Sequence, residues 1–158
     1  MKYKEIIDDL FLYKTSHFLA HCISSDISYN SLAMSSGIVV KFNDIYDMKN
    51  KIRAYTKTSK IKVGEAIVID NVFNLVTKRF FFLGSSYKNI EKSIIEMKNY
   101  CKSNNVKKLA IPAIGCGIDG LKWGRVSEII KNHFYDCSIE ILVCFYNQKE
   151  WNKHHNFK

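Results

Sequence analysis

The residue types best suited to chemistry gather in one stretch, Leu109-Ala-Ile-Pro-Ala-Ile-Gly-Cys-Gly-Ile-Asp-Gly-Leu-Lys-Trp123. An apolar run leads into three glycines within six positions, Gly115, Gly117 and Gly120, and then into an amphipathic segment. Glycines reach positive φ and let backbone N–H groups approach a ligand with no Cβ in the way. Where such a loop opens a helix, those donors and the helix dipole favour an anion. In open α/β sheets a strand-to-helix loop of this kind lies at the carboxyl end of the strands, where ligands bind. The spacing fits neither the Walker phosphate loop nor the G-x-G-x-x-G dinucleotide fingerprint. The residues alone therefore point to a phosphate-bearing ligand, with a merely tight strand–helix connection as the alternative.

The titratable groups say less by themselves. Lys78 ends an apolar run and is followed by Arg79 and by Phe80-Phe81-Phe82-Leu83. A lysine is a nucleophile only when uncharged, a state that desolvation or neighbouring positive charge favours. In isolation Lys78 reads as a surface lysine ending a strand and Asp119 as a helix-terminus carboxylate. His21 sits in an apolar run and reads as a core residue. Cys116 lies among backbone donors that would lower its pKa, but no second residue supports a nucleophilic role. The five cysteines are odd in number and form no CxxC pair, so free thiols in or near the core are expected, with no disulfide framework and no metal site. His154-His155 falls in a polar tail, residues 151–158, that is expected to fray.

The elements that must position these residues can be read from hydrophobic period. Tyr3 to Ile7 reads as a first strand closing on Asp8-Asp9, and Phe18 to Ile23 as a second, buried one. Ser24 to Ser36 is a polar loop. Gly37 to Tyr55 has helical spacing, broken near Asn43-Asp44. Lys62 to Asp70 and Val72 to Thr77 read as paired strands turning at Asp70-Asn71. Ser86 is a candidate N-cap for a helix whose apolar face is Ile90, Ile94, Met97 and Cys101. Lys107 to Pro112 is a short buried strand, Trp123, Val126, Ile130 and Phe134 mark a further helix, and Ile139 to Tyr146 is the last strand. Strands alternating with helices predict a mixed or parallel sheet covered on both faces. Phe145 and Tyr146, at its end, either pack or border a ligand.

Length and composition bound the class. The chain of 158 residues suits one domain, with 47% apolar content and no run approaching a membrane span. No signal-peptide core follows Met1, so a cytoplasmic or nuclear rather than secreted protein is expected. The net charge of +9 favours an anionic partner. The same lysine, asparagine, isoleucine and tyrosine excess would also come from an AT-rich genome.

The segment Ile111-Pro112-Ala113-Ile114-Gly115-Cys116-Gly117-Ile118-Asp119-Gly120-Leu121-x-Trp123 resembles the second ADP-ribose loop of macrodomains. Asp9-Leu10-Phe11, His21-Cys22-Ile23-Ser24-x-Asp26 and Asn74-Leu75-Val76-Thr77-Lys78-Arg79 match in order, and the Tyr87…Ser93…Met97-Lys98…Cys101 helix agrees. The match runs from about residue 3 to 146. It is similar above all to the branch holding the terminal ADP-ribose protein glycohydrolase and the antitoxin that removes ADP-ribose from DNA. The resemblance implies a three-layer α/β/α macrodomain over residues 1–150 with a central mixed, mostly parallel sheet. It implies a monomer with no cofactor whose partners are ADP-ribose and an ADP-ribosylated protein or nucleic acid. It also implies roles: Asp9 accepts from the adenine amino group, with Leu10 beside it. Gly115, Cys116, Gly117 and Ile118, after Ile114, wrap the pyrophosphate and distal ribose. Met34-Ser35-Ser36-Gly37-Ile38 forms the first phosphate loop, and Ser24 and Thr77 line the cleft. Lys78 and Asp119 match the catalytic lysine and aspartate. A non-catalytic ADP-ribose reader and a hydrolase of ADP-ribose 1″-phosphate or O-acetyl-ADP-ribose are the competing functions. One departure stands out. Ile27 to Ala33 intervenes between Asp26 and Met34, and Ser35 replaces the family's first glycine, so the path over the phosphates and the leaving group admitted are expected to differ.

Overall fold

The computed structural model describes residues 1–156. Six strands form one sheet: β1 (Lys2–Ile7), β2 (Phe18–Ser24), β3 (Ala66–Ile69), β4 (Val72–Lys78), β5 (Lys108–Ile111) and β6 (Glu140–Phe145). Their spatial order is β1-β6-β5-β2-β4-β3. All pairings are parallel except β3 with β4, which is antiparallel and turns at Asp70-Asn71, both at positive φ. The helices are α1 (Ile38–Tyr46), α2 (Met48–Thr56), α3 (Tyr87–Ser103), α4 (Trp123–Phe134) and α5 (Gln148–His155).

Side chains alternate across each strand and so feed two cores. On one face Ala20, Phe73, Leu75, Leu109, Ile111 and Val143 pack against the apolar faces of α3 and α4. On the other, Leu19, Ile23, Val72, Val76 and Ala110 meet Phe42 of α1 and Met48 and Ile52 of α2. The result is the three-layer α/β/α arrangement with a mixed, mostly parallel sheet that the sequence predicts. Ser86 caps α3 as expected, its side chain accepting from the Asn89 N–H. No helix among the described residues is long and apolar enough to cross a membrane.

Three expectations need correction. The break between α1 and α2 falls at Asp47, not Asn43-Asp44: Asp47 takes a left-handed φ of 53°, and the Asn43 side chain accepts the Lys49 N–H at 3.0 Å across the break. β3 begins at Ala66 rather than Lys62, because Gly64, at φ +100°, turns the chain while its N–H reaches Val76 O at 2.7 Å. The tail containing His154-His155 does not fray over residues 148–155. It forms α5, capped by Asn147. Trp151 stacks on His155 at 3.9 Å between ring centroids and meets Phe145 edge-on, and the His155 ring bonds Glu5 of β1.

Candidate active site

The parallel strands β1, β6, β5, β2 and β4 all end at one edge of the sheet, which brings together segments distant in sequence. A cleft of about 260 Å³ opens there. Of the expected site residues, Ser24, Ser35, Ser36, Gly37, Ile38, Lys78, Ile114, Gly115, Gly117, Ile118 and Asp119 line it.

One wall is the loop between β5 and α4. Gly115 adopts φ +75°, which L side chains rarely take, and a Cβ there would lie 2.5 Å from Ile90 Cδ1 of α3, so a side chain would strain the backbone and displace the Ile90 tip. Within the loop the Cys116 N–H donates to Ala113 O at 3.1 Å and the Leu121 N–H to Gly115 O at 3.0 Å. Gly117 and Ile118 are the exposed crest. The opposite wall is the segment entering α1. Here positive φ falls on Met34 (63°) and Gly37 (80°), not on Ser35. The two walls nearly touch: a Cβ on Gly37 would lie 3.1 Å from Ile118 Cδ1.

Lys78, the last residue of β4, meets Asp119 of the glycine loop in the wall of the cleft, with Nζ 2.6 Å from Oδ1. Their side chains are 13% and 8% exposed. They form a mostly enclosed ion pair that a ligand in the cleft can still reach. Arg79 turns away, its guanidinium 5.2 Å from the Phe80 ring centroid. Asp119, not Arg79, is therefore the charge that Lys78 meets.

The backbone beyond Lys78 is fixed by Asp26, a fully buried carboxylate. Asp26 accepts from Ser24 Oγ at 2.5 Å, from Asn30 Nδ2 at 3.0 Å and from the Phe81 N–H at 3.2 Å. Its own N–H donates to Arg79 O at 3.1 Å. The inserted residues 27–33 fold back on α2, where Arg53 donates to Ile27 O and Asn30 O, and Lys49 to Ser31 O. Leu32 then joins the cleft wall.

Four expected residues stand outside the lining. Asp9 follows β1 at the same edge, and its carboxylate accepts the Phe11 N–H at 3.0 Å, capping a short 3-10 turn in which Leu10 is buried. Thr77 is buried on the face opposite Val76, beside the Cys22 thiol. Cys116 is buried with its thiol directed at Ile114 O. Burial pushes that thiol up to about 12, with the nearby Asp119 charge adding to the effect, so the lowering expected from backbone donors does not occur. The Cys22 thiol, which does line the cleft, is likewise pushed up to about 12 by burial and by Asp119. Both are neutral thiols at ordinary pH. Phe145 is wholly buried against Trp123 and Trp151, hence packing, while Tyr146 is exposed and outside the cleft lining. Phe81 and Glu150 line the cleft and were not foreseen as site residues. An aromatic run beside Lys78 signalled the first. Nothing in the polar sequence around Glu150 signalled the second.

Comparison with known proteins agrees with this geometry. The Macro domain model matches residues 30–130. A human protein named ADP-ribose glycohydrolase OARD1 is 34% identical over 143 residues, covering 85% of this chain and 86% of the relative. Among solved structures, the macrodomain of Mycobacterium tuberculosis DarG has a TM-score of 0.78 at 20% identity, covering 90% of this chain and 96% of that one. Thermosipho africanus DarTG, solved in complex with ADP-ribose, has a TM-score of 0.76 at 18% identity, over 91% of this chain and 41% of that one. With the family model covering residues 30–130 and a 34% identical relative matched over most of both chains, this chain belongs to the Macro domain family.

Proposed function

We propose that this chain binds ADP-ribose in the cleft and removes mono-ADP-ribose from a modified target. The observation that carries this reading is the Lys78–Asp119 pair, 2.6 Å apart in the wall of a cleft bounded by two phosphate-type loops. The pyrophosphate would lie between the segment opening α1 and the loop Gly115–Ile118, where backbone N–H groups meet an anion. The adenine would extend toward Asp9 and Leu10 along the same sheet edge, and the distal ribose toward Ser24, Lys78 and Asp119.

The chemistry follows from the pair. Lys78 must lose a proton before Nζ can attack, and the Asp119 carboxylate in contact with it is the base to accept that proton. Nζ then bonds to the anomeric carbon of the distal ribose while the bond to the target breaks, releasing the target with its electron pair. Water, aided by Asp119, hydrolyses the lysyl adduct and frees Lys78. The names of the human and mycobacterial relatives, an ADP-ribose glycohydrolase and a DNA ADP-ribosyl glycohydrolase, support hydrolysis as the reaction class.

Two measurements test the reading together. Titration calorimetry with ADP-ribose in the presence of a chelator should give a saturable, metal-independent signal. Purified protein incubated with glutamate-linked, thymidine-linked and guanosine-linked ADP-ribose should release ADP-ribose from at least one. Binding without release from any of them would make the domain a reader, and no binding up to millimolar ligand would remove the reading altogether.

A further inference from the structure

The parallel strands meet the cleft in a fixed order. Across the edge β1 is followed by β6, β5, β2 and β4, each about 5 Å from the next. The segments leaving them therefore stand in the order Asp9, Tyr146 to Glu150, the glycine loop, Ser24 and Lys78. The first two are fixed side by side, since Ile7 of β1 lies opposite Phe145 of β6 and the Asp8 N–H donates to Phe145 O at 2.9 Å. Glu150 lines the cleft from the second place in this order, between the Asp9 turn and the glycine loop.

Glu150 is held there by the start of α5. Asn147 Oδ1 accepts the Glu150 N–H at 2.9 Å, and the Asn147 carbonyl accepts the Trp151 N–H at 3.0 Å, which begins the helix directly after β6. The carboxylate folds back, Oε2 accepting the Tyr146 N–H at 2.9 Å. Trp151 and His155 anchor the rest of the helix on Phe145 and Glu5, so the carboxylate is in place before a ligand arrives. Its second oxygen, Oε1, accepts no hydrogen bond among the described residues, and the side chain is only half-buried. A negative charge in the wall of a cleft shaped for phosphates repels the phosphates themselves. It is favourable only opposite an uncharged group that donates hydrogen bonds.

With adenine toward Asp9 and the pyrophosphate against the glycine loop, the group lying between them is the adenosine ribose. Resting on that placement of ADP-ribose, we propose that Glu150 is a specificity-determining residue whose Oε1 accepts from the hydroxyls of this ribose. An acidic side chain serves in the same way in dinucleotide folds, where it takes the ribose 2′-hydroxyl and a 2′-phosphate calls for an arginine instead. The ligand class is then ADP-ribose with an unmodified adenosine ribose. A 2′-phosphate on that ribose meets a like charge and is disfavoured.

Titration calorimetry with ADP-ribose and with its adenosine 2′-phosphate form tests the assignment. Wild type should prefer ADP-ribose by about tenfold or more. Glu150→Gln, whose amide oxygen can still accept the Tyr146 N–H, should lose several-fold in ADP-ribose affinity and bind the two ligands within about twofold of each other. Glu150→Asp keeps the charge and should keep the preference, and circular dichroism should be unchanged in both variants. A preference in Glu150→Gln equal to that of wild type overturns the assignment. So does tighter binding of the 2′-phosphate form by wild type, which would make Lys149 or Lys153 of the same helix its partner. Equal loss of preference in the Gln and Asp variants also overturns it, tracing the effect to the start of α5 rather than to the charge. Wild type that binds ADP-ribose without any preference removes the role of Glu150 alone. Wild type that binds neither ligand removes the ADP-ribose reading of the cleft as well.

Discussion

Two polar pairs begin from the same strand, β4, and have opposite fates. His21 of β2 sits directly across from Asn74 of β4, and four residues further along β4, about 13 Å, Lys78 meets Asp119. The first pair is closed to solvent, with His21 under the floor of the cleft. Both residues are fully buried, and the His21 ring stacks on Phe42 at 4.0 Å between centroids. Asn74 Nδ2 donates to Ile67 O and Val72 O, so Oδ1 faces His21, whose Nε2 carries the proton and donates it. Burial holds the ring neutral, pushing its pKa down to about 4. The second pair is ionic and keeps a path to the cleft. Enclosing two opposite charges completely costs several kcal/mol per ion before their attraction is counted, whereas the neutral pair leaves only His21 Nδ1 without a hydrogen-bond partner among the described residues, at about 1–3 kcal/mol. Position along the strand thus divides structure from chemistry, the sheet's centre taking the neutral pair and its carboxyl edge the charged one.

This contrast is broken most strongly at Asp119. Asp119→Asn keeps the shape but removes the base, and ADP-ribose release should fall by about 10²–10⁴-fold while ADP-ribose binding holds and the urea midpoint drops, since Lys78 loses its counter-charge. A variant with near wild-type turnover would return Asp119 to a helix-terminus role.

The closed pair should declare itself through pH instead. The folded pKa of His21, about 4, lies below its ordinary 6.5. Above pH 6.5 the ring is neutral in both states and its contribution is complete. As pH falls from 6.5 toward 4 the unfolded chain takes up a proton that the folded chain refuses, so stability declines, by about 3 kcal/mol over that window. Below 4 this loss levels off. Urea denaturation at pH 7.5 and 4.5 should show the decline in wild type and much less of it in His21→Gln. Equal pH dependence in both would place the acid sensitivity elsewhere. Glu5, held below the usual carboxylate range by bonds from Tyr3, His155 and Trp123 against its own burial, adds its loss only at lower pH.

A smaller effect tests how far the ligand reaches along the edge. Asp9→Ala should weaken ADP-ribose binding by about 2 kcal/mol through loss of a charged acceptor, with an unchanged circular dichroism spectrum. Unchanged affinity would put the adenine away from the β1 terminus, nearer Glu150 and the cleft proper.

Much of this was legible because single residues carry it. Gly115 and Gly37 advertise positive φ, and the Ile90, Ile94, Met97, Cys101 spacing fixes the buried face of α3. The meeting of Lys78 with Asp119, 41 residues later, is a tertiary fact, and only the resemblance of two motifs pointed to it. Asp26 stands out only as part of a matching motif, since nothing local tells that the Phe81 and Arg79 backbone will close on it. Helix α5 was missed for a related reason. Its sequence is almost wholly polar, and it is held by the docking of Trp151 and His155 on Phe145 and Glu5 rather than by an apolar face of its own.

The central claim is that Lys78 acts on the bond being broken while the phosphate loops do the binding. It is tested most directly by measuring ADP-ribose release and ADP-ribose affinity side by side in Lys78→Ala. Release from the best substrate should be abolished, with affinity staying within about tenfold, about 1.4 kcal/mol. Full activity in Lys78→Ala would contradict the account and leave a water activated by Asp119 as the attacking group.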